Sequence, residues 1–176
     1  MTPTHRILLL AAVVTAPIVA APRDVLVAQA TSCSTAMHGA FDFWIGDWNV
    51  VDSSTGRVAG HNRIERVDGG CVVRERYMTA GAYSGQSLNW YDPTTQRWHQ
   101  LWLDSGGLIL RLAGGPAVEG TMVLEGVGRD SAGTTVERIT WTRRADGSVR
   151  QHWTQARTAA GPWQTVFDGI YARRAP

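Results

Sequence analysis

The chain has no lysine; all 17 of its basic residues are arginine, a bias we attribute to base composition rather than function. Against 15 acidic residues they leave a net charge of +2, and no five like charges stand in a row. A nucleic-acid partner is therefore not expected. Only two cysteines are present, Cys33 and Cys71, with no Cys-x-x-Cys spacing and no paired histidines beside them, which argues against a zinc site and a thiolate catalyst. The chain also lacks a nucleophile elbow and a phosphate loop, and from residue 41 onward no segment has a 3.6-residue apolar period. Its longest apolar stretch, Ile7 to Ala21, falls short of the roughly 18 to 20 residues that a membrane-spanning helix needs.

That stretch reads instead as an export signal. His5 and Arg6 precede it, and Ala28-Gln29-Ala30 offers the small-x-small pattern of a cleavage site, so residues 1–30 are expected to be a signal peptide cut after Ala30. An uncleaved anchor is the alternative, because Arg23 and Asp24 make the stretch before the cut long and polar. Cleavage predicts a periplasmic or secreted protein without stable membrane insertion. In such a compartment two cysteines suggest one disulfide, Cys33 to Cys71, between an arm over residues 31–40 and the third strand; two buried free thiols are the alternative.

What the chain does have is tryptophan, eight in all, and turn signals about every ten to twelve residues from position 41 onward. The aromatic run Phe41 to Val50 reads as a first strand with Trp44, Gly46, Trp48 and Val50 on one face. Gly46, between two tryptophans, is expected to admit backbone or an indole from across the fold. Further strands follow at 57–67, 71–79, 86–91, 97–104, 108–113, 121–127, 134–144, 148–158 and 162–173. Short turns join them, Asp68-Gly69-Gly70 and Ala145-Asp146-Gly147 among them. An antiparallel meander of that length must close or stack to hide its edges, and even spacing favours closure. The expectation is an all-β fold, a single antiparallel up-and-down barrel of about ten strands over residues 41–174. Arginines on the expected outward faces argue against a barrel set in lipid.

Several of these stretches together resemble an uncharacterised family of bacterial exported lipocalin-like proteins. They are Phe41 to Val50, Gly70-Cys71-Val72-Val73-Arg74-Glu75, Trp98-x-Gln100-x-Trp102-x-Asp104, Arg138-Ile139-Thr140-Trp141, Val149-Arg150-Gln151 and Phe167-Asp168-Gly169-x-Tyr171. The resemblance implies a calycin-type barrel, with Gly46-Asp47-Trp48 as the shared glycine-x-tryptophan near the first strand. It implies no established activity.

Alternation also proposes an interior. Arg74 and Arg76 point one face of the third strand outward, which turns Glu75 and Tyr77 in. The inward polar set is Glu75, Asn89, Gln100, Asp104, Arg138 and Gln151, interleaved with Trp48, Tyr77, Trp90, Trp98, Trp102 and Trp153. The parity of the fourth and eighth strands is ambiguous. A buried carboxylate needs a cation or several donors, so Glu75 is expected to pair with Arg138. The candidate ligand-binding residues are Trp48, Glu75, Tyr77, Asn89, Gln100, Trp102, Asp104, Arg138, Gln151 and Trp153, around a small, partly apolar or aromatic ligand, with no cofactor. Two other functions stay open. One is an enzyme, a hydrolase or isomerase, using Glu75 with Asp104 as acid and base, or His99 or His152 as base. The other is an interaction module whose barrel is filled by its own side chains. A haem site of nitrobindin type would rest on His152, which faces outward if Gln151 and Trp153 face in.

Overall fold

A computed structural model describes residues 33–174. The signal peptide expected over residues 1–30 lies outside the described residues. Ten strands follow a short helix, α1 (Ala36–Gly39), and a 3-10 turn at Asp42–Trp44. They are β1 (Gly46–Asp52), β2 (Val58–Val67), β3 (Val72–Met78), β4 (Ser84–Asp92) and β5 (Arg97–Asp104), then β6 (Ile109–Val118), β7 (Thr121–Asp130), β8 (Gly133–Arg143), β9 (Val149–Ala156) and β10 (Gln164–Arg173). Each strand pairs antiparallel with the next, and β1 pairs with β10 from Trp48–Arg173 to Asp52–Gly169. The sheet is thus a closed up-and-down barrel with no free edge, as expected.

The opening aromatic run is only half a strand. Over Asp42–Trp44 the chain turns with three residues per turn, and the backbone N–H of Trp44 donates to the carbonyl of Phe41 at 3.2 Å. That geometry brings residues three apart onto one side. Phe41 and Trp44 accordingly stack at 4.8 Å, where a strand would send them to opposite faces. Phe41 also meets Trp98 and Trp141 edge-on at 5.6 and 5.1 Å. These rings form a buried plug at one end of the barrel.

The arm is also fastened across that end. Cys33 and Cys71 form a disulfide, Trp98 Nε1 donates to the Met37 carbonyl at 3.0 Å, and Arg66 reaches the His38 carbonyl and the Asp42 carboxylate. Gly46 does leave room, but Arg173 fills it: its guanidinium lies 4.3 Å over the Trp48 ring, where a Cβ on Gly46 would collide with it. The opposite end is formed by the turns that precede β2, β4, β6, β8 and β10, and among the described residues it carries no such plug. Among the described residues no helix is long and apolar enough to cross a membrane.

Candidate binding site

Strand alternation delivers the interior one residue in two. On β3, Val73, Glu75 and Tyr77 are buried while Arg74, Arg76 and Met78 face out. On β5, Trp98 and Gln100 are buried, and Trp102 and Asp104 continue the same face toward the open end. The two ambiguous strands resolve as follows. On β4, Ser87 and Asn89 point in, and Trp90 is an outside residue stacked on His99. On β8, Glu137, Ile139 and Trp141 point in, so Arg138 faces out, where it pairs with Glu125 at 2.5 Å and lies 4.1 Å over Trp163. The expected Glu75–Arg138 pair is therefore not formed.

Glu75 is instead held by neutral donors. Asn62 Nδ2 donates to one carboxyl oxygen at 2.7 Å and Ser87 Oγ to the other at 2.6 Å. Behind Ser87 the chain continues through Asn89 Nδ2 (2.9 Å) to Gln100 Nε2, which donates to Asn89 Oδ1 at 2.8 Å. Behind Asn62 it continues through the Tyr171 hydroxyl, which donates to Gln151 Oε1 at 2.5 Å, an oxygen that Trp141 Nε1 also reaches at 3.0 Å. One polar belt thus runs across the inner faces of β5, β4, β3, β2, β10, β9 and β8. A second carboxylate, Glu137, is buried on β8 and takes the Trp153 indole N–H at 2.6 Å and the Thr135 hydroxyl at 2.5 Å.

Above the belt lies a cavity of about 240 Å³. Of the expected ligand-binding residues it is lined by Glu75, Tyr77, Gln100, Trp102, Gln151 and Trp153. The others lie elsewhere. Trp48 is packed below the cavity and donates its indole N–H to the Trp44 carbonyl; Asn89 braces Gln100 from behind; Arg138 is outside. Asp104 sits at the mouth in a separate depression, accepting from Tyr83, Trp102 and the N–H groups of Gly106 and Leu108. Missing from the sequence reading were Tyr83, Leu110, Ile139, Val166, Phe167 and Tyr171, all of which line the space. Ile139 could have been found from its two-residue spacing to Trp141, and Tyr171 from its four-residue spacing to Phe167; Tyr83 lies in a turn and carries no such signal. Trp102 needs a glycine neighbour, because a Cβ on Gly85 of β4 would fall 2.2 Å from its ring.

Two carboxyls diverge in their electrostatics. Burial pushes Glu75 up to about 7, against the Ser87 and Asn62 hydrogen bonds, which favour its ionised form. For Asp104 burial also works upward, but the hydrogen bonds from Tyr83, Leu108, Trp102 and Gly106 outweigh it and hold the carboxyl below its ordinary value. Burial, then the nearby Glu75 charge, raises the Tyr171 phenol well above its ordinary value, which keeps it a donor.

A pH effect on folding follows. Between the unfolded value of 4.5 and the folded value of about 7, the native state holds a proton on Glu75 that the unfolded chain has lost. Stability should fall as pH rises through that window, by about 3 kcal/mol on this group's account, and level off above it. Urea titrations at pH 5 and pH 8 should show this loss in the wild type and a much smaller one in Glu75→Gln; equal losses in both would assign the effect elsewhere.

His99 and His152 stay outside. His152 Nε2 bonds Thr165 Oγ1, and His99 lies between Trp90 and Thr95, so neither can serve a group inside the barrel as base or axial ligand. Among the described residues no group of three or more His, Cys, Asp or Glu could hold a metal ion. No protein-family model matches the chain, and no curated protein matches it either.

Proposed function

We propose that this protein is an exported, lipocalin-like barrel, periplasmic or secreted, that binds a small, partly apolar or aromatic molecule in its interior without a cofactor. The carrying observation is the cavity of about 240 Å³, where Trp102, Trp153 and Phe167 supply flat apolar walls and Glu75, Gln100 and Gln151 supply fixed polar atoms. Ligand sites are built in this way, mostly apolar with a few placed hydrogen-bonding groups. The volume lies just under the usual range of about 300–1,000 Å³, which suits a single ring or a short chain better than a long lipid. Export is supported by the Cys33–Cys71 disulfide, a bond that persists in oxidising compartments.

Native mass spectrometry of protein purified from its own host should show a bound small molecule. A panel of aromatic and short-chain compounds should then change the emission of Trp102 and Trp153 in protein stripped of it. Stripped protein that responds to no compound, and that carried none before stripping, would overturn the reading.

A second reading, catalysis, draws on one observation: Glu75 lines the cavity with a pKa of about 7, where a carboxyl can both take and give a proton. Glu75 and Asp104 hydrogen-bond to different partners, so the acid would be Glu75 acting alone. Turnover of a bound compound that survives Glu75→Gln unchanged would remove it from any mechanism.

A further inference from the structure

We infer that the molecule this cavity takes is an organic cation, an ammonium group carried on an aromatic or short apolar body, with its charge on Glu75 and its body against Trp102, Trp153 and Phe167. This rests on reading the interior as a binding cup, and adds to it the sign of the ligand's charge.

The first support is the charge inventory. Neither arginine nor histidine lines the cavity, and the chain has no lysine to supply. Carboxylates, by contrast, approach from three sides. Glu75 is in the wall, Glu137 stands behind the Trp153 indole, and Asp104 stands at the mouth behind Trp102 and Tyr83. All three are held by neutral donors, so their charge is not cancelled inside the barrel. A carboxylate ligand, the usual load of a fatty-acid carrier, would find no cation in this lining and, above pH 7, would meet an ionised Glu75 of its own sign.

The second support is the direction of the hydrogen bonds. Gln100 donates to Asn89, Asn89 to Ser87 and Ser87 to Glu75, while Asn62 donates to Glu75 from the other side. Both carboxyl oxygens are acceptors only, which is the wiring of an ionised group. Two neutral donors leave about half of its lone-pair sites open, and they leave its charge whole. The missing complement is a cation on the cavity side. The third support is the wall itself: Tyr77, Tyr83, Trp102, Trp153 and Phe167 offer ring faces, and an aromatic enclosure beside a carboxylate is how proteins hold ammonium groups.

Tryptophan fluorescence titration with three probes tests the charge. They are benzyltrimethylammonium, benzyl alcohol and phenylacetate, alike in their ring and differing in sign. At pH 8 the ammonium should bind at least about tenfold more tightly than either of the others. Because a quaternary ammonium does not titrate, its pH dependence reports the protein. Facing Glu75 are Asn62 on β2, Ser87 on β4, Tyr77 on its own strand, Tyr171 on β10 and Tyr83 in the turn before β4, and all three tyrosines have raised pKa values. Affinity should therefore fall by up to about tenfold per pH unit as Glu75 takes up its proton below pH 7. Glu75→Gln should remove both the preference and the pH slope; should that variant not fold, the wild-type profile alone decides. Tighter binding of the alcohol or the acid, or an ammonium affinity indifferent to pH, overturns the cation and leaves the cup standing. Failure of all three probes, with no species carried from the host, overturns both.

Discussion

Replacing Phe41 by alanine should destabilise the protein by about 3 to 5 kcal/mol, the range for emptying a buried phenylalanine site. Phe41 is fully buried and touches Phe43, Trp44, Trp98 and Trp141 at centroid distances of 4.8 to 5.6 Å. Its partners come from the 3-10 turn, β5 and β8, so they cannot all close on the void without moving strands of a hydrogen-bonded barrel. Residual cavity volume is what makes such truncations expensive. The thermal midpoint should drop on the order of 10 °C. Phe41 lines no part of the 240 Å³ cavity. At temperatures where the variant stays folded, ligand response should therefore be retained, and this separates the plug from the cup. A loss within experimental error of zero would mean that the plug does not hold the arm.

Reduction of the Cys33–Cys71 bond, or its replacement by serines, should cost about 4 kcal/mol on the loop-entropy estimate for a 38-residue separation. Most of that loss acts through the unfolded chain, which gains the freedom of the segment between the cysteines. The folded arm keeps its other fastenings, the Trp98–Met37 and Arg66–His38 hydrogen bonds and the Phe41 stack. Equilibrium urea unfolding with and without reductant should therefore shift the midpoint, while near-ultraviolet circular dichroism of the folded state changes little. A collapse of that aromatic signal on reduction would show that the bond holds the native arm in place.

How much of this could be read in advance depends on the physical signal each residue carries. Strand count, closure and the faces of β3 and β5 were legible because arginine-out, carboxylate-in alternation survives every context that hides one face of a sheet. The 3-10 turn was not, because its aromatic spacing also satisfies a two-residue period, and only contact with Trp98 and Trp141 decides between them. On β4 the usual polarity is inverted: Leu88 and Trp90 are outside, and Ser87 and Asn89 inside. The polar belt overrides the hydrophobic pattern there. On β8 two signals oppose each other: the pair Ile139-x-Trp141 turns Arg138 outward, whereas a buried Glu75 calls for a cation, and packing of the apolar pair wins. What the sequence does not convey is which of the two, a cation or several donors, serves the buried carboxylate, and that the donors are Asn62 and Ser87. The result is a candidate site whose polar floor was mostly named and whose aromatic rim was named only in part.

The seam between β1 and β10 ties the first strand to the last. During synthesis β1 has no neighbour on that side until about 120 further residues have followed it, and β9 is likewise bare on one flank until then. An incomplete chain therefore exposes two unpaired ladders, each a template for sticking to another copy. Nascent protein that lacks its tail should thus need an escort, and trimming even a few residues from the end of β10 should prove more harmful than trimming the same number from a surface turn.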